Sequence, residues 1–215
     1  MTENATLKME EVSFAYGQNQ VLNHINYEFS ADAIVGKSGA GKTTLLSLLS
    51  GLTHPTGGRI LCNEKDLRNI NPYDYRRKYV GVIFQSFNLL TKLTAAENVE
   101  LSMDIAKYPC TNKKKRSYEL LESVGLRREE ADRRVLKLSG GQQQRVAITR
   151  ALSYEPDFIL ADEPTGNLDG ETQNEIMAIL RGLAAAGKCI IIVTHSPSVA
   201  QQADVIYRLT PVEAV

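Results

Sequence analysis

Gly36-Lys37-Ser38-Gly39-Ala40-Gly41-Lys42-Thr43 has the spacing G-x-x-x-x-G-K-[ST], between an apolar run, Ala33-Ile34-Val35, and a leucine-rich helical pattern, Thr43 to Leu49. Glycines in such a turn let successive backbone N–H groups face inward around phosphate oxygens, at the positive end of the helix that follows. Lys42 is placed to reach the β- and γ-phosphates of a nucleotide, the Thr43 hydroxyl to bind Mg²⁺, and Thr44 completes the phosphate-binding set. A merely tight strand-to-helix turn is the competing reading. A second group of reactive residues follows the apolar run Phe158-Ile159-Leu160-Ala161, which ends in Asp162 and Glu163. Asp162 at a strand end suits Mg²⁺, usually through water. Glu163, one residue further, is placed to take a proton from an attacking water. A helix-capping carboxylate would look the same in isolation; the phosphate loop makes the pair informative.

These two features are common to many nucleotide hydrolases. A third is more specific. Leu138-Ser139-Gly140-Gly141-Gln142, followed by Gln143-Gln144-Arg145-Val146-Ala147, resembles the signature motif of the ATP-binding cassette (ABC) ATPases. The Ser139 hydroxyl and the Gly140 and Gly141 amides at a helix start would form a second anion site, although an ordinary helix N-cap explains Ser139 equally well. Two phosphate sites far apart in one chain make sense if the second completes the first on another copy. The resemblance spans nearly the whole chain. It implies that Gln85, after the strand Val80 to Phe84, is the glutamine that senses Mg²⁺ and the attacking water. It also implies that Asn167-Leu168-Asp169 crosses a dimer interface and that His195 contacts the γ-phosphate. Ser139, Gly140, Gly141, Gln142 and Asp169 then face ATP held by the opposite chain. Tyr16 stands where the family places an aromatic that stacks on adenine; a strand-edge tyrosine in a core is the alternative.

The segments Phe84-Gln85-Ser86-Phe87-Asn88-Leu89-Leu90, Leu93-Thr94-Ala95-Ala96-Glu97-Asn98-Val99 and Pro164-Thr165-Gly166-Asn167-Leu168-Asp169 are similar to those of the lipoprotein-release, macrolide-export and antimicrobial-peptide-resistance ATPases. That resemblance implies an ATP-hydrolysing subunit that uses ATP and Mg²⁺, dimerises with a second such subunit, and drives a separate integral membrane permease from the cytoplasmic face of the membrane. Two other family members fit the same motifs: a signalling ATPase of the cell-division type, and a soluble iron–sulfur assembly ATPase. The DNA-repair relatives separate these motifs by long coiled coils, and the spacing here is ordinary, with no heptads.

The elements that position these residues are legible as alternation of strands and helices. Apolar strand-like runs between helical patterns predict an α/β core with a largely parallel sheet. Glu171 to Ala186 reads as an amphipathic helix, Cys189 to Val193 as a β-branched strand that delivers Thr194 and His195, and Val205 to Tyr207 as a last strand. Lys8 to Tyr16 and Val21 to Phe29 alternate as antiparallel strands with one wet face. Residues 86–154 have helical periodicity and read as a helical subdomain inserted into a single domain spanning 1–215. Within it, Lys113-Lys114-Lys115-Arg116 reads as a solvated helix start or as a basic patch for lipid or a permease.

Composition sets the remaining bounds. The 215 residues are 43% hydrophobic and 23% charged, enough for one packed domain. Lys+Arg and Asp+Glu balance at 25 each, so no net charge points to nucleic acid or a membrane surface. Cys62, Cys110 and Cys189 have no metal-ligand spacing and fit a reducing compartment. No run approaches the roughly 20 apolar residues of a membrane span. Two departures from the family stand out. Phe29-Ser30-Ala31-Asp32-Ala33 crosses without glycine and about three residues short of an ordinary connection. The chain also stops soon after Leu209, so no regulatory extension is expected.

Overall fold

The computed structural model describes residues 5–29, 32–36 and 40–212. Nine strands form two sheets among these residues. The front sheet begins with β1 (Leu7–Tyr16) and β2 (Asn19–Phe29), paired antiparallel. Leu7, Met9, Val12 and Phe14 of β1 are all buried, which strict two-residue alternation does not allow. A bulge resolves this: register shifts between Met9 and Val12, and Glu11 takes φ 52°. The extra residue returns Val12 and Phe14 to the core face.

After β3 (Asp32–Gly36) and helix α1 (Lys42–Leu49), the chain returns to the front sheet as β4 (Gly57–Cys62) and the short β5 (Lys65–Asp66). No element is predicted over Gly57–Cys62 from the sequence. The reason for glycine is the bulge opposite: a Cβ on Gly58, which has φ 72°, would lie 2.3 Å from the Glu11 carbonyl oxygen. Helix α2 (Pro72–Lys78) follows, with the Asn71 side chain accepting from the Tyr73 and Asp74 amides and Arg76, Arg77 and Lys78 in its last turn. Both ends therefore complement the helix dipole.

The second sheet is parallel. Its members are β3, β6 (Val80–Ile83), β7 (Phe158–Asp162), β8 (Cys189–Thr194) and β9 (Val205–Leu209), in the order β6-β7-β8-β3-β9. β7 and β8 are apolar up to their last residues, Asp162 and Thr194, because both faces are covered. One core lies under the front sheet and α1, from Leu7 and Phe29 to Phe158 and Val193. A second lies on the opposite face, where Ile159, Ile190 and Ile192 meet α6 (Gly140–Leu152) and α7 (Gly170–Ala185). The connection from Phe29 to Asp32 falls partly outside the described residues.

Between β6 and β7 the chain forms α3 (Ala95–Ile105), α4 (Lys113–Ser123), α5 (Arg128–Ala131) and α6. These helices enclose a third core built from Val99, Met103, Leu121, Leu126, Val135 and Val146. α3 starts on a full capping box, Thr94 with Glu97. The basic run opens α4; Lys113, Lys115 and Arg116 pair with Asp104, Glu119 and Glu155, so it is largely neutralised within the chain. α8 (Pro197–Ala200) links β8 to β9. Cys62 and Cys189 are buried and Cys110 is partly exposed. No helix among the described residues is long and apolar enough to cross a membrane.

Candidate functional site

Four neighbouring parallel strands end along one edge of the second sheet, and the reactive residues stand at those ends. Gln85 follows β6, Asp162 and Glu163 close β7, Thr194 and His195 close β8, and Gly36 ends β3 before the turn into α1. In open α/β sheets the carboxyl ends of the strands are where ligands bind, because helix N-termini and short loops converge there.

Lys37, Ser38 and Gly39 of the phosphate loop lie outside the described residues. Ala40 is buried, and Gly41 takes φ 87° as the N-cap of α1. A side chain there would press on Val21 at 2.9 Å, so both conformation and space demand glycine. Among the described residues no side chain caps α1, unlike α2, α3, α4, α6 and α7, each capped by its own Asn, Thr, Ser or Asp. The amides at a helix start without a side-chain cap are the kind of donors that bind an anion. Lys42 and Thr43 begin this helix.

Asp162 is half-buried, and its carboxyl is pushed above the usual carboxylate range. Burial is the largest cause, the neighbouring Glu163 charge the next, and Lys42 opposes both. Glu163 is more constrained. It holds φ 44°, its amide donates to the Val193 carbonyl at 2.8 Å, and its carbonyl accepts from the Gly166 amide at 3.0 Å. Its Oε1 is 2.6 Å from His195 Nδ1, and its Oε2 accepts from the Thr194 hydroxyl at 2.8 Å. The His195 ring is largely exposed, so Nε2 faces outward. Gln85 borders the same group. Its side chain donates weakly to Asn167 Oδ1 at 3.5 Å, Asn167 returns a bond to the Gln85 carbonyl at 3.1 Å, and a Cβ on Gly166 would lie 3.0 Å from Gln85 Nε2.

The signature residues gather elsewhere on the chain. Ser139 caps α6: its hydroxyl accepts from the Gln142 amide at 3.3 Å, and Gln142 Oε1 accepts from the Ser139 amide at 2.9 Å. Gln142 Nε2 is spent on Glu130 at 2.8 Å, so its side chain points into the protein. The capping role of Ser139 thus coexists with an exposed hydroxyl proton. A Cβ on Gly141 would meet Thr172 at 2.5 Å, so the start of α6 rests against the start of α7. There Asp169 caps α7, bonded by the Thr172 amide and hydroxyl, which hold its carboxyl below the usual range. The starts of α6 and α7, with Ser139, Gly140, Gly141, Gln142 and Asp169, therefore lie side by side. Tyr16, at the end of β1, is 61% exposed and touches Phe14 edge-on, which removes the buried-core alternative.

The sequence reading missed two residues. Thr194 was read only as the end of a strand. Gln144 is fully buried, and its Nε2 donates to the Pro164 carbonyl at 2.7 Å while Oε1 finds no partner among the described residues. A buried glutamine within an otherwise apolar helix face was the signal available for it.

This edge gathers the candidate residues for nucleotide hydrolysis at the strand ends of an α/β fold. A sequence profile of the ABC transporter family matches residues 12–166, and the chain belongs to that family as an ATP-binding, ATP-hydrolysing cassette. It is 41% identical over 210 residues to the ABC transporter ATP-binding protein YclH of Bacillus subtilis, covering 95% of this chain and 93% of that one. It is 42% identical over 220 residues to the macrolide export ATP-binding/permease protein MacB of Acinetobacter baylyi, of which it spans 33%. Among solved structures it matches the dimeric structure of MJ0796, described as a bacterial ABC transporter cassette, with TM-score 0.86 and 36% identity over 95% of this chain and 94% of that one. It also matches a dimeric post-hydrolysis state of the same cassette bound to ADP and Pi, with TM-score 0.86 and 34% identity over 96% of this chain and 97% of that one.

Proposed function

We propose that two copies of this chain close head to tail around two ATP molecules, on the cytoplasmic face of a membrane, and drive a separate permease. The arrangement that supports this reading is a separation within the chain: Gln85, Asp162, Glu163 and His195 stand at strand ends along one sheet edge, whereas Ser139 and Asp169 stand at the starts of α6 and α7. Each half is incomplete, and a two-fold axis brings one to the other. The solved relative MJ0796 is dimeric, which supports the arrangement.

In each site Gly36 to Thr44 cradle the phosphates, Lys42 meets the β- and γ-phosphates, and Tyr16 carries the adenine. Ser139, Gly140, Gly141, Gln142 and Asp169 approach from the partner copy. The residues present fit Mg²⁺: a half-buried carboxyl beside a second one, with a hydroxyl at Thr43 and an amide at Gln85, is a donor set that a hard divalent cation satisfies. Thr43, Asp162 and Gln85 would hold it, and when bound it would neutralise phosphate charge. Glu163 accepts the proton of the attacking water, and the outward face of His195 meets the γ-phosphate. Tyr16→Ala should weaken ATP binding by about 1–2 kcal/mol through lost stacking, with Tyr16→Phe nearly neutral. Calorimetric titration checks this, and equal small effects would move Tyr16 out of the site.

A partner surface is also present. α2 and α3 border a cavity of about 240 Å³ lined by Tyr73, Arg76, Arg77, Ser102, Ile105 and Tyr154. Tyr73 and Ile105 there are 75% and 70% exposed, an unmet apolar surface at the junction of core and helical layer. In the segment after Gln85, Leu89 packs into the helical core and Arg150 holds the Phe87 and Asn88 carbonyls, while Leu90 is left 50% exposed. Ile105→Asp should abolish co-purification with an integral membrane subunit and leave the isolated ATPase unchanged, since an exposed substitution shifts stability by only about 0.5 kcal/mol. Pull-down from detergent-solubilised cells that finds only soluble partners would replace the permease with an assembly role.

A further inference from the structure

We propose that Thr194 is the residue that positions Glu163 for catalysis, an inference that rests on Glu163 being the base. Thr194 ends β8 and is 1% exposed. Its Oγ1 has two partners: it accepts from the Ser196 amide at 3.0 Å and lies 2.8 Å from Glu163 Oε2. An amide can only donate, so the hydroxyl oxygen accepts there. A carboxylate accepts, so the single hydroxyl proton is committed to Glu163. The direction of this bond is thus dictated by chemistry.

The bond acts on a residue that needs holding. Glu163 sits at φ 44°, a region costly for a side chain other than glycine and maintained only where the surroundings over-determine it. Its amide and carbonyl are tied to Val193 and Gly166, and Thr194 fixes the carboxylate itself. The two carboxylate oxygens then differ. Oε2 is covered by a buried hydroxyl on a strand end, whereas Oε1 is covered by His195, whose side chain is 65% exposed. The exposed contact is the one free to open when nucleotide enters, while the buried one persists. As His195 turns to the γ-phosphate, Oε1 is uncovered in a set orientation. It takes a proton from water as the water's oxygen bonds to the γ-phosphorus, and the bond to the β–γ bridging oxygen breaks with its electron pair leaving on ADP.

The test compares Thr194→Val and Thr194→Ala, which lack the hydroxyl, with Thr194→Ser, which keeps it. Val and Ala should lower kcat about tenfold, the order of one lost hydrogen bond to a charged group, with KM for ATP within about twofold of the parent. Ser should restore kcat to within about twofold, and melting temperatures should not track kcat. Should the valine variant not fold, alanine carries the same comparison. Full kcat in the variants without the hydroxyl would overturn the proposal, and so would a serine variant as slow as valine, which would mean packing. Glu163→Gln, run alongside, separates the two readings: if it hydrolyses ATP normally the base assignment itself falls, whereas an inactive Glu163→Gln with a fully active Thr194→Val sinks only the positioning role.

Discussion

Glu163→Gln is expected to bind ATP as the parent does and to lose turnover by about 100-fold or more. The carboxamide matches the carboxylate in shape, and its oxygen can still accept from the Thr194 hydroxyl, so the left-handed backbone and its bonds to Val193 and Gly166 need not change. What is lost is the capacity to take a proton. ATP that binds and is not cleaved should hold two copies together, so the variant should run as a dimer on size-exclusion chromatography with ATP and as a monomer without it. Near-normal hydrolysis would leave Glu163 as a strand-end carboxylate and nothing more.

Mixing two inactive chains should restore activity in part. Lys42→Ala removes the phosphate-binding ammonium. Ser139→Arg puts a long charged side chain at the exposed start of α6. If Ser139 serves the partner's nucleotide, both defects fall in one of the two sites of the mixed dimer, and the other site is wholly intact. Verified heterodimers should retain one ATP each and hydrolyse it, up to about half the parent rate for two independent sites. Heterodimers that neither retain nucleotide nor hydrolyse would place Ser139 and Lys42 in the same chain's site.

Much of the site was legible because it is local. The phosphate loop, Asp162 with Glu163, and the signature each occupy a few consecutive residues, where spacing reports backbone conformation directly: Gly41 at φ 87° adopts what only glycine adopts easily. The parallel strands are equally plain, since β7 and β8 are buried on both faces and so apolar up to Asp162 and Thr194. β4 is not, because Gly58 answers to the bulge at Glu11 in β1, which lies far away in sequence and leaves no signal near residue 58.

By itself, the sequence determined the class of chemistry, the order of the elements and the identity of the phosphate-binding and acidic residues. Only the tertiary structure decided which of them meet. The strand order β6-β7-β8-β3-β9 sets Gln85, Glu163, Thr194 and the phosphate loop along one edge although they span more than half the chain, and pairing across a sheet leaves no periodic trace in any one strand. The same holds for the contact that organises the base: Thr194 meets Glu163 across 31 positions of sequence, through one buried hydroxyl whose proton has a single place to go.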